Sequence, residues 1–104
     1  KINSKFEKPY VPKKYFSSWA QYSLLAKNEK HKNKIMLSMK KSDIATMIYY
    51  KIPLHLQKCF NNFGYKAGDF PVSEDISKRI FSIPMYPYLR SQTQNTIIEA
   101  LNHG

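Results

Sequence analysis

The clearest alternation of apolar and polar positions lies at Trp19–Ala26, where Ala20, Tyr22, Leu24 and Ala26 fall on one face and Gln21 and Ser23 on the other. Period-two spacing of that kind predicts a half-buried strand. The period then changes. Ile35, Met36 and Met39 recur at helical spacing, with Lys30, Lys34 and Lys41 mostly off the stripe. Asn28 is placed to cap this helix, Glu29 sits at the positive end of its dipole, and a stop is expected near Ser42-Asp43. Ile44–Tyr50 is rich in β-branched and aromatic residues and predicts a second strand ended by Pro53. A short helix is expected over His55–Phe63, a loop over Gly64–Pro71, and a further short helix capped by Ser73 with Glu74 and Asp75 in its first turn. Ile80–Met85 reads as a third strand, with Pro84 at a sheet edge. Ser91-Gln92-Thr93-Gln94 has the form of a capping box before a helix lined by Ile97, Ile98 and Leu101.

The succession strand, helix, strand, short helices, strand, helix predicts an α+β domain: a small mixed sheet with helices on one face. Pro9 and Pro12 disfavour helix, so residues 1–15 read as an extended lead-in to a domain over 16–104. No internal repeat or low-complexity tract interrupts it. At 104 residues the chain has the length of one domain. No apolar run reaches membrane-span length, and the start lacks the apolar core of a signal peptide, leaving the cytoplasm as the default location. The first residue is Lys rather than Met, so translation need not begin there.

Charge changes the picture only a little. The net charge is +10, and residues 1–66 hold fourteen lysines against three acids. The excess is scattered lysine, and Arg79 and Arg90 are the only arginines, so bidentate phosphate clamps are scarce and nucleic acid is not the expected partner. Gly64-x-x-x-Gly68 lacks the Lys-Ser/Thr of a phosphate loop. His31, His55 and His103 are far apart and have no second ligand at metal spacing. Cys59 lies four residues after His55, which would put the two on one helical face, but a lone cysteine reads first as a small hydrophobe. Lys51 reads as one surface lysine among many rather than a Schiff-base lysine.

Five runs carry more. They are Ser18-Trp19-Ala20-Gln21-Tyr22-Ser23, Ile44–Tyr50, Ile52-Pro53-Leu54-His55-Leu56-Gln57, Gly64-Tyr65-Lys66-x-Gly68-Asp69-Phe70-Pro71-Val72-Ser73-Glu74 and Ser82–Leu89. In this order and spacing they resemble the carboxyl-terminal domain of the DegT/DnrJ/EryC1/StrS family, pyridoxal-phosphate-dependent aminotransferases acting on nucleotide-linked keto-sugars. The resemblance runs from about Val11 to Leu101. It implies a small, mostly antiparallel sheet with helices on one face, as in the carboxyl-terminal domain of fold-type I aminotransferases. It also implies that the aldimine lysine, the aspartate facing the pyridinium nitrogen and most phosphate contacts belong to a large amino-terminal domain, since no lysine of this chain aligns with the catalytic one. On this resemblance the chain alone holds no coenzyme and catalyses nothing.

His55 and Gln57 then correspond to loop residues near the active-site mouth, with Tyr49 and Tyr50 leading into that loop. The implied partners are the large domain or a second copy of the chain, and, in the complete enzyme, a sugar nucleotide. Asp69 is expected to anchor its own loop and Trp19 to serve core or interface. Lys51, Asp43 and Arg90 depart from the family pattern; Asp43 stands where Gly is common, at a place suited to left-handed backbone. Two other readings remain. One is a stand-alone, non-enzymatic remnant that self-associates through exposed apolar residues, Phe6, Tyr10, Tyr15, Phe16 and Trp19 among them. The other is a basic binder of polyanions.

Overall fold

The computed structural model describes residues 1–104 and shows an α+β domain built on an antiparallel pair, β1 (Tyr22–Leu25) and β2 (Ile80–Ile83). Leu24 faces Phe81 and Ser23 faces Ser82, whose hydroxyl oxygens lie 2.7 Å apart. Single antiparallel bridges extend the sheet on both sides, Glu7 to Leu25 and Met47 to Ser82. Every pairing is therefore antiparallel, and the sheet is not mixed. The helices are α1 (Glu29–Lys41), α2 (Pro71–Arg79) and α3 (Ser91–His103). Ile35 and Met39 of α1 and Ile97 and Leu101 of α3 close over Leu24 and Phe81 to form the core, with Ala26 and Phe6 completing it.

The ends of α1 follow from local chemistry. Asn28 Oδ1 accepts the His31 N–H at 2.8 Å, as an N-cap should. At the other end the Asp43 N–H donates to Lys40 O and the Ile44 N–H to Met39 O, while Asp43 takes φ +56°. That is a Schellman ending with Ile44 packed back on the core beside Met39.

Elsewhere tertiary structure overrides local pattern. β1 is shorter than its alternation because Trp19, at φ +51°, turns the chain before Tyr22. The strand expected over Ile44–Tyr50 shrinks to the Met47 bridge, while Ile44 and Ile48 turn onto the core. Instead of one helix, His55–Phe63 lies in two 3₁₀ turns, Leu54–Leu56 and Lys58–Phe63, separated by extended Gln57. Helix α2 starts at Pro71, whose fixed φ suits a first helical position, so Phe70 rather than Ser73 is its N-cap. The expected capping box does not form: Ser91 is the first residue of α3, and the Gln94 N–H bonds to the Arg90 carbonyl.

Phe6, expected on the surface, is buried. It packs edge-on to Phe81 and stacks on His31 at 5.3 Å. The amino-terminal residues are extended, and they are tied into the domain. Arg79 donates to Glu7, to Asp75 and to the Ala26 carbonyl, and the Asn3 N–H donates to Asn102 Oδ1.

The domain is open for its mass. A compact monomer of 12.2 kDa exposes about 6,100 Å²; this chain exposes 8313 Å². Its radius of gyration, 15.6 Å, exceeds the roughly 13 Å of a compact chain of this length. Exposed apolar side chains are spread along the chain, from Tyr10, Tyr15 and Phe16 to Tyr88, and one group of them lies between residues 50 and 72, where Tyr50, Ile52, Leu54, Phe63, Tyr65 and Val72 are all at least half exposed.

Candidate functional site at the 50–57 and 64–74 loops

Two loops converge on the amino-terminal turn of α2. Glu74 is their common anchor. Its Oε1 accepts the Gly68 N–H at 2.8 Å and, more weakly, the Phe70 N–H at 3.4 Å, and it lies 2.9 Å from His55 Nε2. These bonds hold the Glu74 carboxyl below its usual pKa: the His55 bond is the largest cause and the Gly68 amide the next, against a smaller desolvation effect. A carboxylate only accepts, so His55 Nε2 carries the proton. The His55 side chain is 7% exposed and packs against the Phe70 ring at 4.8 Å, and Phe70 in turn meets Tyr65 edge-on. Gly68 reaches this arrangement at φ +95°, a conformation that favours glycine. Asp69 anchors its own loop as expected, its Oδ2 accepting the Lys66 N–H at 2.8 Å.

The loops enclose two adjoining depressions. One, of about 680 Å³, is lined by Tyr50, Ile52, Gln57, Phe70, Val72 and Ile76 among others. The second, of about 500 Å³, is lined by Leu54, His55, Phe60, Phe63, Tyr65 and Phe70, with Ser73. The structure thus brings Tyr50 and Gln57 to one groove and His55 to its neighbour. Leu54, Phe70 and Ser73 border both. Tyr50 is exposed at the rim. Gln57 braces its loop, its Nε2 donating to the Ile52 carbonyl at 3.1 Å. Cys59 is exposed beside Gln57, and His55 Nε2 is turned to Glu74, so no Cys–His pair forms through that nitrogen. Trp19 is half-buried against Tyr22, 5.0 Å between rings.

Neither depression is lined by lysine or arginine. The aldehyde of pyridoxal phosphate therefore finds no amine there and its phosphate no cationic side chain, and these residues do not fit that coenzyme. What the walls offer is apolar and aromatic surface with a few polar groups, His55, Gln57, Tyr50, Asp69 and the Ser73 and Ser77 hydroxyls. Sequence reasoning passed over Glu74 as a hub and Phe70 as the shared wall. The usable signal was an acid one turn into a helix opened by proline, directly after Gly68-Asp69-Phe70.

Residues 2–102 match the model of the DegT/DnrJ/EryC1/StrS aminotransferase family, and the chain belongs to that family, whose members depend on pyridoxal phosphate. It is 37% identical over 81 residues to a pleiotropic regulatory protein of Geobacillus stearothermophilus, covering 78% of this chain and 21% of that one. It is 41% identical over 59 residues to the dTDP-3-amino-3,4,6-trideoxy-alpha-D-glucose transaminase of Micromonospora megalomicea, covering 57% and 16%. Among solved structures, a DegT DnrJ EryC1 StrS aminotransferase from Brucella abortus superposes with a TM-score of 0.84 at 34% identity, over 95% of this chain and 26% of that one. The chain spans about a quarter of the length of these relatives. No helix is long and apolar enough to cross a membrane.

Proposed function

We propose that this chain is the carboxyl-terminal small domain of a cytoplasmic, pyridoxal-phosphate-dependent aminotransferase that moves an amino group from an amino acid to a keto-sugar nucleotide. In this reading the chain does not catalyse the reaction by itself. It shapes the sugar-nucleotide entrance with Tyr50, His55 and Gln57, and it docks on the large domain or on a second subunit. The observation that carries the reading is the family match over nearly the whole chain at a quarter of its relatives' length. The roughly 2,200 Å² of surface beyond that of a compact monomer supports it, because an excess of that size, with many large apolar side chains exposed, suits a permanent interface. The coenzyme would supply the electron sink, and residues outside this chain would hold it.

The test is capture of the native polypeptide from its source cells with an antibody to this chain, followed by intact mass and an amino-transfer assay. The expected result is a species several times heavier than 12.2 kDa that aminates a keto-sugar nucleotide. Replacing Tyr50, His55 or Gln57 in that enzyme should then raise KM for the sugar nucleotide. A species near 12.2 kDa that forms dimers and transfers no amino group refutes the proposal. That outcome would favour the alternative of a stand-alone self-associating module, which the same exposed apolar side chains would serve.

A further inference from the structure

We propose that Glu74 is a positioning residue: it holds His55 in one orientation, with Nε2–H bound inward to its carboxylate and Nδ1 left open to the aromatic cavity as a hydrogen-bond acceptor. The inference rests on the reading above for its meaning, because it names what prepares His55 to meet a hydroxyl of a sugar-bearing ligand. Its geometry stands on the structure alone.

Three observations converge. First, the same Glu74 oxygen gathers His55 Nε2, Gly68 N–H and Phe70 N–H, so the group that orients the imidazole also sets the 66–70 loop and places the Phe70 ring against it. A side chain held by a carboxylate on one edge and packed against a tilted aromatic ring has little freedom left to turn over. Second, His55 Nδ1 makes no hydrogen bond within the chain, yet no buried side-chain nitrogen or oxygen lacks a partner. Nδ1 therefore keeps access to solvent, and the depression that His55 lines is the aromatic one. Third, that depression is walled by Leu54, Phe60, Phe63, Tyr65 and Phe70, so His55 and the Ser73 hydroxyl are the polar side chains among apolar and aromatic ones there. With the Nε2 proton committed to Glu74, a neutral imidazole presents a lone pair at Nδ1, which accepts from a hydroxyl.

The test uses the 104-residue chain, with nitrogen-15 in its histidine rings, at pH 8. The three imidazoles are assigned by comparison with His55→Gln. The expected spectrum shows a resolved, slowly exchanging Nε2–H proton for His55 and an unprotonated Nδ1, while His103, in the last turn, shows no such proton. In Glu74→Gln the resolved Nε2–H signal is lost or shifts strongly upfield while the backbone amide pattern away from 52–74 is retained. Absence of the Nε2–H signal in the wild-type chain, a protonated Nδ1, or an unchanged His55 ring in Glu74→Gln overturns the proposal. The wild-type measurement needs no variant to fold. No substrate enters the experiment, so its failure leaves the aminotransferase reading standing, and a failed amino-transfer assay leaves this result untouched.

Discussion

Asp43 provides a quantitative test of how well the local structure is understood. It occupies the left-handed position at the end of α1, φ +56°, with its N–H and that of Ile44 satisfying Lys40 and Met39 carbonyls. For an L-residue this conformation costs about 1–2 kcal/mol, and aspartate sits at the low end of that range because its short polar side chain tolerates it. Glycine removes the steric cost but returns about 0.5 kcal/mol through the greater freedom of the unfolded chain. Its substitution also removes a negative charge from beside the carbonyl end of the helix dipole, which contributes about 0.3 kcal/mol more. The Asp43→Gly chain should therefore be more stable by roughly 0.5–1 kcal/mol, or about 2–5 °C in Tm for a domain of this size. Asp43→Ala keeps the strained φ and loses aspartate's tolerance of it, a cost only partly offset by removing the same charge, so it should be less stable by up to about 0.7 kcal/mol. Urea titration followed by circular dichroism at 222 nm measures both. A glycine variant no more stable than wild type, or an alanine variant more stable, would show that the helix end is not governed by left-handed strain.

Asn28→Ala, which deprives the His31 N–H of its partner, should cost about 1 kcal/mol in the same urea titration. Acid should destabilise the fold in two windows. The pKa of His31 is lowered by burial first and then by Lys5, Lys34 and Lys27, so its contribution is intact above pH 6.5 and declines as pH falls through and below that value. The depressed carboxyl of Glu74 contributes above its ordinary 4.5 and is lost as pH falls further. Stability measured at half-unit steps from pH 8 to 3 should show both declines, and His31→Gln should flatten only the first. The chain alone should self-associate at tens of micromolar, and serine at Leu54, Phe63 and Val72 together should suppress this; a strictly monomeric wild type by sedimentation velocity would contradict the docking role of that face.

Helix α1 could be read almost residue by residue because its signals are local: an asparagine before the first turn, an apolar stripe, and a residue tolerant of positive φ at its end. The β1–β2 pair was legible in type but not in length, since the turn at Trp19 has no sequence signature. The Met47 segment has every propensity of a strand and pairs at one residue, because Ile44 and Ile48 turn onto the core instead. A lone aromatic among polar neighbours carries no period, so Phe6 reads as a surface residue, and only the closed fold shows it packed edge-on to Phe81. The site was half legible. Motif order pointed to Tyr50, His55 and Gln57, but the two depressions meet along Leu54, Phe70 and Ser73, and the convergence on Glu74 joins residues nineteen apart in sequence.

The bonds from Asn3 to Asn102 and from Asn102 to the Lys1 carbonyl place the first and last turns of the chain side by side. The order in which the segments are strung together is thus separable from the shape they make. A short linker across that junction, with a new opening at the exposed Asn61-Asn62 turn, should leave Phe6, Leu24, Phe81 and Leu101 in the same core. Such a rewired chain would present the His55 cavity beside a free end, where a reporter or a docking partner can be attached without passing through the sheet.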